Sequence, residues 1–128
     1  MSWQAYVDTN LVGDESIARA AILGQQGGVW AISEEYELSL PEQNAIIGAF
    51  DKLEDVQANG LTLNGRKFFT TTTDEERRSI YLRKGTSGCV IFKTEQAILV
   101  AEYEAPAQAP DAVKVVEGLA DYLIEQKY

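Results

Sequence analysis

NGLTLNGRKFF, residues 59–69, sets Asn64-Gly65 between two apolar pairs, Leu61/Leu63 and Phe68/Phe69. Asn-Gly in a two-residue connection favours the type I′ turn, whose twist matches that of paired strands, so the stretch predicts a β-hairpin. Downstream, residues 79–83, 89–94 and 97–103 are β-rich runs separated by short turns. Connections this short require antiparallel pairing, because parallel neighbours need a long crossover. Upstream, residues 18–24 and 29–33 read as two more strands around a turn at 25–28. The body of the chain is therefore an antiparallel sheet.

Helices bracket and interrupt this sheet. With Ser2 as N-cap, residues 3–12 read as a helix: Trp3, Tyr6, Val7, Asn10 and Leu11 fall in an arc of about 140°, the width of a buried stripe. Ser39-Leu-Pro-Glu42 is a capping box opening a second helix, with Ile46, Ala49, Phe50 and Leu53 inward. Pro106 and Pro110 mark a loop, after which Asp111 caps a closing helix through about residue 126. Ala112, Val116, Leu119, Ala120, Leu123 and Ile124 form its core stripe. The expected fold is α/β of the α+β type. It has a central antiparallel sheet, the N- and C-terminal helices packed together on one face and a shorter helix on the other. No linker or repeat divides the chain, so residues 1–128 form a single domain.

Composition narrows the chemistry. There is no histidine, so no Ser–His or Cys–His pair and no histidine-containing zinc site can form. The single cysteine, Cys89, cannot make an internal disulfide and points to a reducing compartment. It reads as a small apolar strand residue. The N-terminus lacks the basic and apolar regions of a signal peptide, and no apolar run nears the roughly 20 residues that span a bilayer. A soluble, cytoplasmic protein without metal or cofactor is expected. Gly60 and Gly65 have P-loop spacing, but the Lys-Ser/Thr ending is missing and the segment is a hairpin. Asp74, Glu75 and Glu76 read as a solvated turn rather than a metal site.

The net charge of −9 argues against nucleic acid as a partner. It is unevenly spread. Residues 66–93 hold seven of the eleven basic groups and three acids, a local charge of +4 against −13 for the rest. Because charge is screened beyond about 8 Å at physiological salt, a partner meets this local patch rather than the total.

The aromatic residues form a second pattern. Trp3 and Tyr6 share a helix face, Tyr122 lies at the margin of the closing stripe, Tyr128 ends the sequence and Trp30 sits in a strand beside a glycine-rich turn. Each ring alone reads as packing where helices meet the sheet. As a set, Trp and Tyr rings at helix ends are the side chains that stack on prolines and donate to the bare carbonyls of a polyproline II peptide.

Several segments carry a family resemblance. MSWQAYVDTNLVG (1–13), VWA (29–31), NGLTLNGRKF (59–68), RSIYLRKGTSG (78–88) and VVEGLADYLIEQKY (115–128) are similar, in matching order, to segments of the profilins. The resemblance covers nearly the whole chain. It implies a proline-rich-peptide groove at Trp3, Tyr6, Trp30, Tyr122 and Tyr128. It also implies a face for monomeric actin, an acidic protein, at Arg66, Arg78, Arg83, Lys84 and Lys114. Weak phosphoinositide head-group binding at Arg66, Arg78, Arg83 and Lys84 is implied as well. Partners would then be actin and proline-rich proteins such as actin-nucleation or elongation factors, in a cytoskeleton-associated role. The sequence departs from the family at residues 70–73, a threonine run with an apparent extra residue, and at Leu82 in place of glycine, so the local loop there must differ. Two other readings stand beside this one. A proline-binding module could have lost its actin face, and a small enzyme could use carboxylates or tyrosines, although no constellation for it is recognisable.

Overall fold

A computed structural model describes residues 2–128. Seven strands form one antiparallel sheet in the order β2-β1-β7-β6-β5-β4-β3. They are β1 (Arg19–Gly24), β2 (Val29–Ile32), β3 (Leu61–Leu63), β4 (Arg66–Asp74), β5 (Ser79–Lys84), β6 (Ser87–Lys93) and β7 (Ala97–Tyr103). The Asn64-Gly65 hairpin is as expected: both residues have positive φ, 52° and 77°, as a type I′ turn requires.

The first helix, α1, begins at Trp3–Ala5 and continues as a π-helix over Tyr6–Leu11. The Ser2 side chain caps it by accepting from the Ala5 N–H at 3.1 Å, and Val12 N–H reaches back five residues to Val7 at 2.8 Å. The capping box of α2 (Leu40–Ala49) forms as read: Glu42 N–H donates to Ser39, and Ser39 N–H donates to the Glu42 carboxylate. That carboxylate also accepts from Asn64 N–H at 3.2 Å and Gly65 N–H at 2.9 Å, tying the start of α2 to the β3–β4 turn.

Four expectations change. Leu53 does not continue the second helix. The chain leaves helical geometry at Lys52 (φ −139°, ψ 62°), and Leu53 opens a further helix, α3 (Leu53–Asn59); Phe50 and Leu53 are only partly buried. The closing helix α4 spans Ala109–Glu125 with Gln108 as its cap. Pro110 is accommodated in the first turn, where its missing N–H costs nothing, and Asp111 instead accepts from Gln108 N–H at 3.2 Å. Ile124 is 37% exposed and lies outside the core stripe. The threonine run belongs to β4 rather than to a loop. The pairing shifts between Thr70 and Thr72, and Thr71, on this bulge, donates its hydroxyl to Tyr81 O at 3.1 Å.

The sheet carries a core on each face. Val7 and Leu11 of the first helix and Val116, Leu119 and Leu123 of α4 pack on Ile22, Val90, Phe92 and Leu99. Helices α2 and α3 cover the other face, with Ile46 and Val56 against Leu23, Phe68, Ile80, Leu82, Ile91 and Val100. Covered on both sides, every residue of β7 is buried. The terminal helices thus share one face, and two short helices rather than one take the other. No helix among the described residues is long and apolar enough to cross a membrane.

Candidate functional site

The fold gathers five aromatic rings from three distant parts of the sequence. Trp3 is the hub. Its ring centroid lies 5.6 Å from Tyr6, 4.7 Å from Trp30 and 5.3 Å from Tyr128, the last edge-on at 89°. Tyr6 extends the row to Tyr122 at 6.2 Å. Trp30, Tyr122 and Tyr128 are 37%, 46% and 45% exposed, while Trp3 and Tyr6 are half-buried. Side chains of this size usually bury most of their area, so a contiguous exposed row is a surface built for contact.

Backbone devices hold the rings. Gln4 donates its side-chain amide to Ile32 O at 2.9 Å, joining the helix of Trp3 to the strand of Trp30. The Trp30 indole lies across Gly24, where a Cβ would fall 2.5 Å from Nε1; only glycine leaves room. At its end, α4 closes in a Schellman arrangement. Lys127 takes φ 68°, its N–H donates to Ile124 O at 2.9 Å, and Tyr128 N–H donates to Leu123 O at 2.8 Å. The Tyr128 main-chain oxygen then accepts from the Thr94 hydroxyl at 2.8 Å and from Gln96 N–H. Tyr128 is therefore anchored rather than frayed.

The Tyr6 phenol is raised above its ordinary range, first by hydrogen bonding with the Tyr122 hydroxyl, then by loss of water and the nearby phenols of Tyr122 and Tyr128. It stays protonated at neutral pH, and the hydrogen-bonded pair of phenols keeps one of its two O–H groups for a carbonyl. The row thus offers ring faces for stacking with phenol and indole donors between them.

The basic residues do not gather into one patch. Arg83 pairs across the strands with Phe69, whereas Arg66 pairs with Leu63, so alternation puts Arg66 and Arg83 on opposite faces of the sheet. Arg66 donates to buried Glu102 at 2.6 Å, a carboxylate that Arg19 also approaches at 3.7 Å. Arg78 lies 3.6 Å from Glu95, and Arg77 pairs with Glu117 at 2.7 Å. Arg83, Lys84 and Lys114 are exposed, and no ion pair engages them among the described residues. Arg83 lines a cavity with Ala109 and Pro110 at the start of α4, one turn from Lys114.

Phe69, on the same face as Arg83, is 64% exposed and was not singled out from the sequence. The doublet Phe68-Phe69 held the signal, because strand alternation must turn one of two adjacent rings outward.

Glu102 is 1% exposed. Burial pushes its carboxyl above the usual range, while Tyr36, Arg66 and Arg19 pull it back only in part. Burial also raises the Cys89 thiol well above its ordinary value, leaving it unreactive. Asp74 accepts from Arg77 N–H at 3.1 Å, making its acidic run a turn. Among the described residues no group of carboxylates or cysteine is arranged to hold a metal.

A family model described as Profilin matches residues 1–128. The chain is 44% identical to profilin-1B of Acanthamoeba castellanii over 128 residues, covering all of both chains. It is 42% identical to the profilin of Saccharomyces cerevisiae over 129 residues, again covering all of both. The solved structure of Acanthamoeba castellanii profilin IB superposes with a TM-score of 0.94, covering 99% of this chain and 100% of that one. Mouse profilin IIa, solved in complex with a double repeat from the FH1 domain of mDia1, shares the fold at 19% identity, with a TM-score of 0.84 and complete coverage of both chains. Matched from end to end in sequence and in the path of its backbone, this chain belongs to the profilin family.

Proposed function

We propose that the protein binds proline-rich peptide segments and monomeric actin, and regulates actin polymerisation as a cytoplasmic, cytoskeleton-associated adaptor rather than as an enzyme. The contiguous row Trp30–Trp3–Tyr6–Tyr122, with Tyr128 edge-on at its centre, carries the reading. A polyproline II ligand needs flat rings at intervals and donors for carbonyls that make no internal hydrogen bonds, and this row supplies both. Retention on poly-L-proline resin, lost in Trp3→Ala, tests it; an unretained parent protein overturns it.

The actin half rests on family membership and on Arg83, Lys84 and Lys114, with Phe69 as an apolar companion. Sedimentation or anisotropy titration against monomeric actin tests it. The engagement of Arg66 and Arg78 with Glu102 and Glu95 favours a second reading, a proline-binding module with a weakened actin face. The same pairing leaves Arg83 and Lys84 as the basic groups for phosphoinositide head groups, and that binding is weak against a net charge of −9.

A further inference from the structure

We propose that Thr94, in the turn between β6 and β7, is a positioning residue of the aromatic groove, acting through Tyr128. The inference rests on the groove reading above and deepens it.

Thr94 is fully buried, and none of its side-chain hydrogen bonds goes to an aromatic side chain of the groove. Its hydroxyl accepts from Ala97 N–H at 3.0 Å, which closes the turn, and donates to Tyr128 O at 2.8 Å. Gln96, two residues on, adds its own N–H to the same Tyr128 oxygen and its side-chain amide to Lys127 O at 3.0 Å. The turn also grips the opposite flank of the groove. Gln25, which follows β1 and leads toward Trp30, donates its side-chain amide to Thr94 O at 2.6 Å and its N–H to Gln96 O at 3.0 Å. One three-residue turn thereby fixes the backbone behind Tyr128 and the hairpin that carries Trp30, the two rings flanking Trp3 at 5.3 and 4.7 Å.

A buried hydroxyl is a demanding choice where valine would fill the same volume, since a buried polar group without partners is costly. Here both the donor and the acceptor role are used: the proton goes to Tyr128 O at 2.8 Å in preference to Ala97 O at 3.2 Å, which already accepts from Thr94 N–H at 2.8 Å. Without the bond to Tyr128, the Tyr128 ring swings on a backbone held by fewer bonds, and a ligand must order it on binding.

The test is a set of affinity titrations of a proline decapeptide, followed by tryptophan fluorescence, with denaturant unfolding alongside. Thr94→Val should weaken binding about fivefold, the worth of one hydrogen bond. Thr94→Ser should restore it to the parent level. Gln96→Ala, at an exposed site that tolerates substitution, should weaken binding about twofold without loss of stability, and reports even if the valine variant folds poorly. In a Tyr128→Ala background neither substitution should matter further, because the coupling runs through that ring. Parent-like affinity in Thr94→Val, or losses that simply add to that of Tyr128→Ala, would overturn the proposal while leaving the groove intact. A parent protein that ignores the decapeptide would sink the groove reading and this inference with it.

Discussion

The indole of Trp30 lies on the backbone of Gly24, so close that a Cβ on that glycine would sit 2.5 Å from Nε1. The strand beneath the ring is as much a part of the proposed groove as the ring itself. Gly24→Ala should therefore displace Trp30 and weaken proline-peptide binding several-fold, at a stability cost of about 1–3 kcal/mol for overpacking. Fluorescence titration against the peptide, paired with urea unfolding, checks both; unchanged affinity would mean that Trp30 contributes nothing.

Trp3→Ala removes the ring that three others touch. Binding should fall by about 2 kcal/mol or more, as for a central interface anchor, with some loss of stability because the ring also packs on the terminal-helix core. Tyr6→Phe keeps the packing and removes the donor, costing roughly 0.5–1.5 kcal/mol of binding. A folded Trp3→Ala protein with parent affinity would refute the groove.

Removing the Tyr128 ring and removing the residue should have different outcomes. Tyr128→Ala keeps the bonds to Thr94 and Gln96, so peptide affinity should drop while the unfolding midpoint barely moves. Deleting the residue also takes from the buried Thr94 hydroxyl its nearer acceptor, leaving Ala97 O at 3.2 Å, which should cost about 1 kcal/mol of stability. Thermal unfolding of the two variants side by side decides this. Equal midpoints would show that the backbone anchor carries no energy.

On the other face of function, Arg83→Glu with Lys114→Glu should strongly reduce association with actin and leave proline binding alone. Phe69→Ala should weaken actin binding by about 2 kcal/mol if the exposed ring is an anchor within the cationic rim. Intact actin binding in the double reversal would move the interface elsewhere.

Arg66 should behave differently from Arg83, through stability and with a pH signature. The Glu102 carboxyl is raised above its ordinary value of 4.5 chiefly by burial. Between 4.5 and that raised value the native state holds more protons than the unfolded state, so the parent loses stability as pH rises through this window and is level above it. Arg66→Met removes a cation that lowers this pKa, pushing the window's upper edge higher. The variant should be less stable by about 2 kcal/mol near neutral pH, below the ~3–5 of a fully buried pair because Arg66 is partly exposed and Arg19 remains. That deficit should shrink on acidification as Glu102 becomes neutral. Urea unfolding at pH 5 and 7.5 measures it; a pH-independent deficit would rule out the charge as its cause.

Where local chemistry decides, the sequence was readable. Asn64-Gly65 fixed a hairpin, Ser39 and Glu42 a capping box, and the spacing of Trp3 and Tyr6 a shared helix face. The separation of α2 from α3 was not legible, because Lys52 leaves helical geometry without a proline or glycine beside it. The partners of Arg66 and Arg78 were equally hidden. Glu102 lies 36 residues from Arg66 and is buried by a sheet whose curvature no local pattern announces. Of the cationic residues, the strand parity that parts Arg66 from Arg83 could have been counted from the hairpin register. The groove lay in between. Its rings were visible one by one, but their contact depends on how Tyr128 is held, and the Thr94 and Gln96 bonds that add to its local helix cap are tertiary.

A site assembled from residues 3, 6, 30, 122 and 128 reports on its own assembly. The row exists only while the first helix, the β1–β2 hairpin and α4 are docked on one another. The Tyr6 and Tyr128 rings, 5.6 and 5.3 Å from Trp3, make tyrosine-to-tryptophan energy transfer an internal gauge of that docking.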